Sequence, residues 1–148
     1  MRTILLRNSI SNALVRLFRQ TNRIHNQALK DTGLSAVQAH ILVILWLKGP
    51  LTIGELQGIV SLGGSTLTGA IDRMEKAGLA RRMPVSGDRR AFRLEPADWD
   101  QPRKEQVFDA LAAAEEACFA GLTSEEREEL LRLLVKATTA LDRFKESP

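Results

Sequence analysis

Apolar residues recur at helical spacing through most of the chain, and the places where that period fails mark its turns. Between residues 8 and 30, Ile10, Ala13, Leu14, Leu17, Phe18, Ile24 and Ala28 share one face while Arg16, Arg19, Arg23, Asn26 and Lys30 share another, which predicts an amphipathic helix. From Ser35 to Leu47 apolar positions run nearly all round, with Leu42, Val43 and Trp46 on one side and Val37, Ile41, Ile44 and Leu45 on the other. A helix without a polar face belongs at the centre of a domain. It stops at Lys48-Gly49-Pro50, because glycine suits a helix C-cap and proline cannot continue the hydrogen-bond ladder.

Thr52 and Glu55 have the spacing of a capping box and open a short helix, Ile53 to Val60. After the turn "SLGG" a second helix is expected from about Ser65 to Ala77. Leu67, Ala70, Ile71 and Met74 form the stripe that docks it on the core. Its other face carries Thr66, Gly69, Asp72, Arg73 and Lys76, with Ser65 and Thr68 near its start, and short polar residues of this kind let a partner approach the backbone closely. Gly78 ends the helix, and "LARRM" leads through "PVSGD" into "RRAFRL", two short strands around a turn at Gly87 and Asp88. Helix, turn, helix, hairpin is the order of a winged helix-turn-helix, with Arg89 and Arg90 at the tip of the wing.

Beyond the hairpin, Asp98 or Asp100 is positioned to cap a helix over residues 103 to 122, with Pro102 tolerated in its first turn. Val107, Leu111, Ala114, Cys118 and Leu122 make its apolar stripe. Thr123 and Glu126 form another capping box, and in the last helix Leu130, Leu134, Ala137, Leu141 and Phe144 alternate four and three apart, a seam for a partner helix. The fold class expected is mainly α with a small β-hairpin wing, in one domain spanning residues 1–148.

Charge changes this picture more than composition does. The net charge is only +3, yet residues 1 to 30 carry six Arg and Lys with no acid, residues 71 to 93 carry seven against three acids, and residues 94 to 148 carry thirteen acids against seven bases. Two basic blocks precede one acidic block. Internal complementarity and nucleic-acid binding both fit such an asymmetry, so charge alone does not decide. The single cysteine excludes an internal disulfide and a four-thiolate zinc site, which makes a reducing cytoplasm the natural compartment. The longest apolar run, "ILVILWL", falls far short of the ~20 residues of a membrane span, and the N-terminus does not read as a signal peptide.

An enzyme needs a nucleophile with its base and orienting group, or a metal site with an open position. With two histidines, one cysteine and no tyrosine, no such constellation is visible and no cofactor is expected. His25 and His40 fall on separate helices, and His40 shares the stripe of Val37, Ile41 and Ile44, the setting of a buried-edge histidine satisfied by hydrogen bonding. Cys118 lies on an apolar stripe and reads as a small core residue.

The ordered motifs Leu51-Thr52 with Glu55-Leu56, Ser65-Thr66-x-Thr68, Asp72-Arg73-Met74-Glu75, Gly78-Leu79 and Asp88-Arg89-Arg90 resemble those of the MarR family of bacterial transcriptional regulators over residues 34 to 94. "AGLTSEEREELLRLL" extends the resemblance more loosely over nearly the whole chain. The resemblance implies a DNA-binding lobe at 34–100 and dimerisation helices at 1–33 and 101–148. It implies that Ser65, Thr66, Thr68 and Arg73 face the major groove of double-stranded DNA and that Arg89 and Arg90 act at the wing, with Asp88 either holding an arginine or serving the turn alone. It further implies a homodimer on an inverted repeat, and a small aromatic or lipophilic anion as effector between the dimerisation helices and the lobe, near His25, His40 and Trp46. The function expected is that of a repressor released by such an effector. A constitutive or architectural DNA-binding protein without ligand stands as the alternative, with a metal- or redox-responsive regulator behind it.

Two departures from the family pattern stand out. Gly69 follows the recognition-helix threonine where many relatives place arginine, and "LEPADWDQP" replaces the usual Leu-Thr-x-x-Gly after the wing.

Overall fold

The computed structural model describes residues 9–60 and 62–145. Helix α1 (Ile10–Ala28) starts where the Ser9 side chain accepts from the Asn12 amide at 3.1 Å, and ends just before Leu29, which is fully buried. A short 3-10 turn, Lys30–Thr32, leads to α2 (Ala36–Lys48). Ser35 and Gln38 cap this helix reciprocally, at 3.3 and 2.9 Å, so two of its orphan amide donors find partners at once. The Ala36 amide donates to Asn26 Oδ1 at 2.9 Å, which pins the start of α2 to the end of α1. Gly49, at φ 82°, turns the chain out of α2 in a conformation that an L side chain resists.

As its pattern requires, α2 is central: Ala36, Ala39, Ile41, Leu42 and Leu45 are buried in it. Around it gather Leu56 of α3 (Ile53–Val60), the stripe Leu67, Ala70, Ile71 and Met74 of α4 (Gly64–Lys76), and Leu94 of the sheet. Both capping boxes read from the sequence are present: Thr52 with Glu55 before α3, and Thr123 with Glu126 before α6 (Ser124–Lys145).

The sheet has three strands where the sequence pattern predicts two. β2 (Ala80–Val85) and β3 (Asp88–Pro96) form the expected hairpin, and β1 (Leu51–Thr52) adds to the far edge of β3, Leu51 opposite Leu94 and Thr52 opposite Arg93. A two-residue strand gives no alternation for a pattern to detect. Near the tip, Pro84 pairs with Phe92 but Val85 pairs with Asp88, so Arg89, Arg90 and Ala91 occupy an irregular stretch of β3 backbone beside a turn that needs Gly87 at φ 88°.

After the wing, Asp100 caps α5 (Gln101–Phe119) by accepting from the Arg103 amide at 2.9 Å, with Pro102 in the first turn. The unusual linker has a packing reason. Trp99 is buried, with its ring 5.5 Å from that of Trp46, and the Arg103 guanidinium lies over it, 4.2 Å from its centroid. Helices α1 and α5 lie against each other, and Arg127 of α6 clamps back on α5 through both oxygens of Glu116 and the Phe119 carbonyl.

The two terminal arms are under-covered. Helix α1 has no buried residue, and Ile10 and Phe18 are 80% and 69% exposed. On α6, Leu131, Leu133, Val135 and Leu141 are exposed, so its apolar surface is broader than the seam Leu130, Leu134, Ala137 and Leu141; the Phe144 side chain lies outside the described residues.

Candidate nucleic-acid interface

Helix α4 divides as its sequence prescribes. The stripe through Leu67 and Ile71 faces the core, and Ser65, Thr66, Thr68, Asp72, Arg73 and Lys76 are exposed on the opposite side. Gly69 sits in the middle of that face. A Cβ there would stand 3.4 Å from Arg73 Nη1, so the Arg73 guanidinium lies back along the helix over the position that lacks a side chain.

The two acids of this helix do not stand free. Arg82, from β2, donates through Nη2 to Asp72 Oδ1 at 2.7 Å and through Nη1 to Glu75 Oε2, while its backbone amide donates to Glu75 Oε1 at 2.9 Å. Helix and wing are thereby fastened, and the charge left uncompensated on the α4 face is that of Arg73 and Lys76. This lock was not foreseen from the sequence. Its signal is the pair of acids one turn apart, Asp72 and Glu75, with a free cation on the strand that follows. On the outer face of the hairpin Arg81 pairs with Glu95 at 3.0 Å. Glu55 is held below the usual carboxylate range, first by the Thr52 amide and hydroxyl and last by the charge of Arg93.

Of the wing residues, the backbones of Arg89 and Arg90 open β3 immediately after the turn. Their side chains, and that of Asp88, lie outside the described residues.

The structure brings His25 and His40 together, their ring centroids 5.7 Å apart, at a cavity of about 480 Å³ bounded by α1, α2, α3 and α5. Phe18, Ile41, Ile44 and Phe119 supply much of its apolar wall. His40 is exposed at this cavity rather than buried at a core edge, and its Nδ1 lies 2.7 Å from the Ala36 carbonyl. Trp46 does not line the cavity. Helix α2 presents it on the other side, against Trp99 and Phe108. Cys118 is half-buried, its Sγ 4.0 Å from His25 Nδ1, and burial, helped by Glu115, pushes its thiol pKa up, which opposes the thiolate form that reacts. Among the described residues no three His, Cys, Asp or Glu side chains are gathered as metal ligands, and no helix is long and apolar enough to cross a membrane.

Comparison with known proteins agrees with this geometry. Residues 34–92, the lobe just described, match the MarR family. The chain is 28% identical over 145 residues to the HTH-type transcriptional regulator MgrA of Staphylococcus aureus, covering 95% of each. Its fold is similar to that of a MarR variant from E. coli complexed with operator DNA (TM-score 0.77, 22% identity, 86% of this chain and 92% of that one). It is similar again to that of BpsR from Bordetella bronchiseptica, whose DNA binding is regulated by 6-hydroxynicotinic acid (TM-score 0.80, 21% identity, 88% and 94%). The α4 face, its lock to the wing and these likenesses over nearly the full chain lead to one conclusion: residues 34–92 form a winged helix-turn-helix lobe of the MarR kind, and the protein is a transcriptional regulator.

Proposed function

We propose that the protein is a homodimeric repressor that binds an inverted repeat in double-stranded DNA, in the cytoplasm, and is released by a small molecule held in the His25–His40 cavity. The observation that carries the DNA-binding part is the exposed face of α4. Ser65, Thr66, Thr68 and Arg73 stand there as short donors and one long cation above a firmly docked stripe, the residue set that reads base edges in a major groove. Arg89 and Arg90 follow the wing turn and reach the neighbouring minor groove, where narrow A·T-rich stretches concentrate negative potential.

Residues 34–100 form the DNA-binding lobe in this reading, and residues 1–33 and 101–148 form the dimerisation arm. The exposed apolar residues of α1 and α6 need a cover, and a second copy supplies one in which the basic block of residues 1–30 meets the acidic block of 94–148. Two-fold symmetry then places two recognition helices about one DNA turn apart, roughly 34 Å. The cavity is of the size that holds drug-like ligands and lies between α1 and α5 of the dimerisation arm and α2 and α3 of the lobe. A ligand that prefers the DNA-free dimer therefore shifts the population toward it.

The test is operator selection from random DNA followed by titration at several salt concentrations. Arg89→Ala with Arg90→Ala should weaken binding to selected and unrelated sequences together and flatten the plot of log K against log salt by up to about 2 units. Thr66→Ala or Arg73→Ala should instead lose ~1 to 3 kcal/mol at particular base pairs. An unchanged salt slope in a folded wing double variant removes the wing from the interface.

A further inference from the structure

We infer that the cavity selects a lipophilic ammonium compound, an apolar or aromatic body carrying a protonated amine, and not an anion; this deepens the reading of the cavity as the regulatory site and rests on it. Each histidine there is committed in the same way. His25 Nδ1 lies 2.8 Å from the Thr21 carbonyl and His40 Nδ1 2.7 Å from the Ala36 carbonyl, and because a carbonyl oxygen only accepts, each Nδ1 carries the hydrogen. In the tautomer this sets, Nε2 is the ring nitrogen that each histidine turns to a ligand. Thr21 spends its hydroxyl proton on the Phe18 carbonyl at 3.1 Å and is an acceptor.

His25 Nε2 stands 3.9 Å from Glu115 Oε2, longer than a hydrogen bond, so a donor set beside them reaches both. An ammonium group set against both donates to each with an N–H to spare, and the His40 ring stands beside them, its centroid 5.7 Å from that of His25. Glu115 is the one charged residue among the described residues that line the cavity. No Lys or Arg is among the described residues that line it, and Arg127 in the adjoining groove is held by both oxygens of Glu116. A carboxylate ligand would therefore meet the like charge of Glu115 with no Lys or Arg in the lining to offset it, whereas the rings of Phe18 and Phe119 in the wall favour a cation.

Calorimetry on the full chain with 1-naphthylmethylamine, 1-naphthylmethanol and 1-naphthoate tests this. The amine should bind more tightly than the alcohol and better than the carboxylate by more than about tenfold. Glu115, 67% exposed at the cavity mouth, tolerates substitution, and Glu115→Gln should weaken the amine roughly fivefold while leaving the alcohol unchanged. His40→Phe, which touches this cavity and not the adjoining groove, should weaken the amine as well. Naphthoate binding as tightly as the amine, an unchanged amine-to-naphthoate ratio in Glu115→Gln, or no binding by any of the three overturns the inference. The regulatory reading fails separately. An amine that binds the cavity but leaves affinity for a selected DNA fragment unchanged overturns that reading and leaves the ligand class standing, whereas release of DNA by naphthoate does the reverse.

Discussion

Replacing Arg82 by methionine removes the guanidinium that fastens α4 to the wing while keeping an apolar stem to cover the surface beneath. Arg82 is 27% exposed, its partner Glu75 is about as well covered, and Asp72 is half exposed, so the two pairs are unequal. The Glu75 pair should contribute ~1 kcal/mol and the more solvated Asp72 pair ~0.5 kcal/mol, since screening by water reduces an ion pair at the surface. Arg82→Met should then destabilise the fold by about 1.5 kcal/mol, a fall in Tm of about 3 to 6 °C for a chain of this size. A double-mutant cycle with Glu75→Gln isolates the pair, and chemical denaturation should return a coupling near 1 kcal/mol. DNA binding offers a second readout. Without Arg82, Asp72 and Glu75 present uncompensated negative charge beside the exposed face of α4, so affinity should fall most at low salt and the salt slope should flatten by about 1 unit. Single-variant effects that add to within about 0.4 kcal/mol would show that the lock is a surface contact of no consequence and would refute the reasoning.

Leu134→Ala with Leu141→Ala in α6 should weaken both assembly and DNA binding, with a cost of ~2 to 5 kcal/mol for each leucine that the partner copy buries; sedimentation showing an unmutated monomer at micromolar concentration rejects the dimer. The Arg127 fork holds the Glu116 carboxyl below its ordinary range, first by hydrogen bonding and then by charge. A depressed carboxylate stabilises the fold fully above its unfolded value, about 4.3, and that contribution is lost as pH falls through the lower folded value. The stability curves of the protein and its Glu116→Gln variant should therefore diverge near neutrality and converge in acid. Cys118, with its thiol pKa raised by burial and by Glu115, should react with a disulfide reagent at neutral pH more slowly than a free cysteine in a peptide; equal rates would contradict its environment.

Local chemistry made much of this protein legible in its sequence. Thr52 with Glu55 and Thr123 with Glu126 lie three residues apart, and a capping box closes at that separation whatever the rest of the chain does. The stripe Leu67, Ala70, Ile71 and Met74 decides which side of α4 is buried, and so which of its polar residues are left facing outward. Gly87 marks the wing turn because few other residues accept its φ. Contacts that span the fold had no such local signature. Helix α2 is apolar on both sides, so its sequence gives Val37, Ile41 and Ile44 no priority over Leu42, Val43 and Trp46, and only packing decided that the first set lines the cavity while Trp46 turns toward Trp99. Strand β1 exists because Leu51 comes to rest beside Leu94, forty-three residues away in sequence. His25 and His40 meet because Asn26 and Ala36 join two helices at an angle that neither helix encodes. Periodicity reports which side of an element is apolar; the angle and distance between elements arise from how several such sides fill one interior, and that is settled only when all of them are packed together.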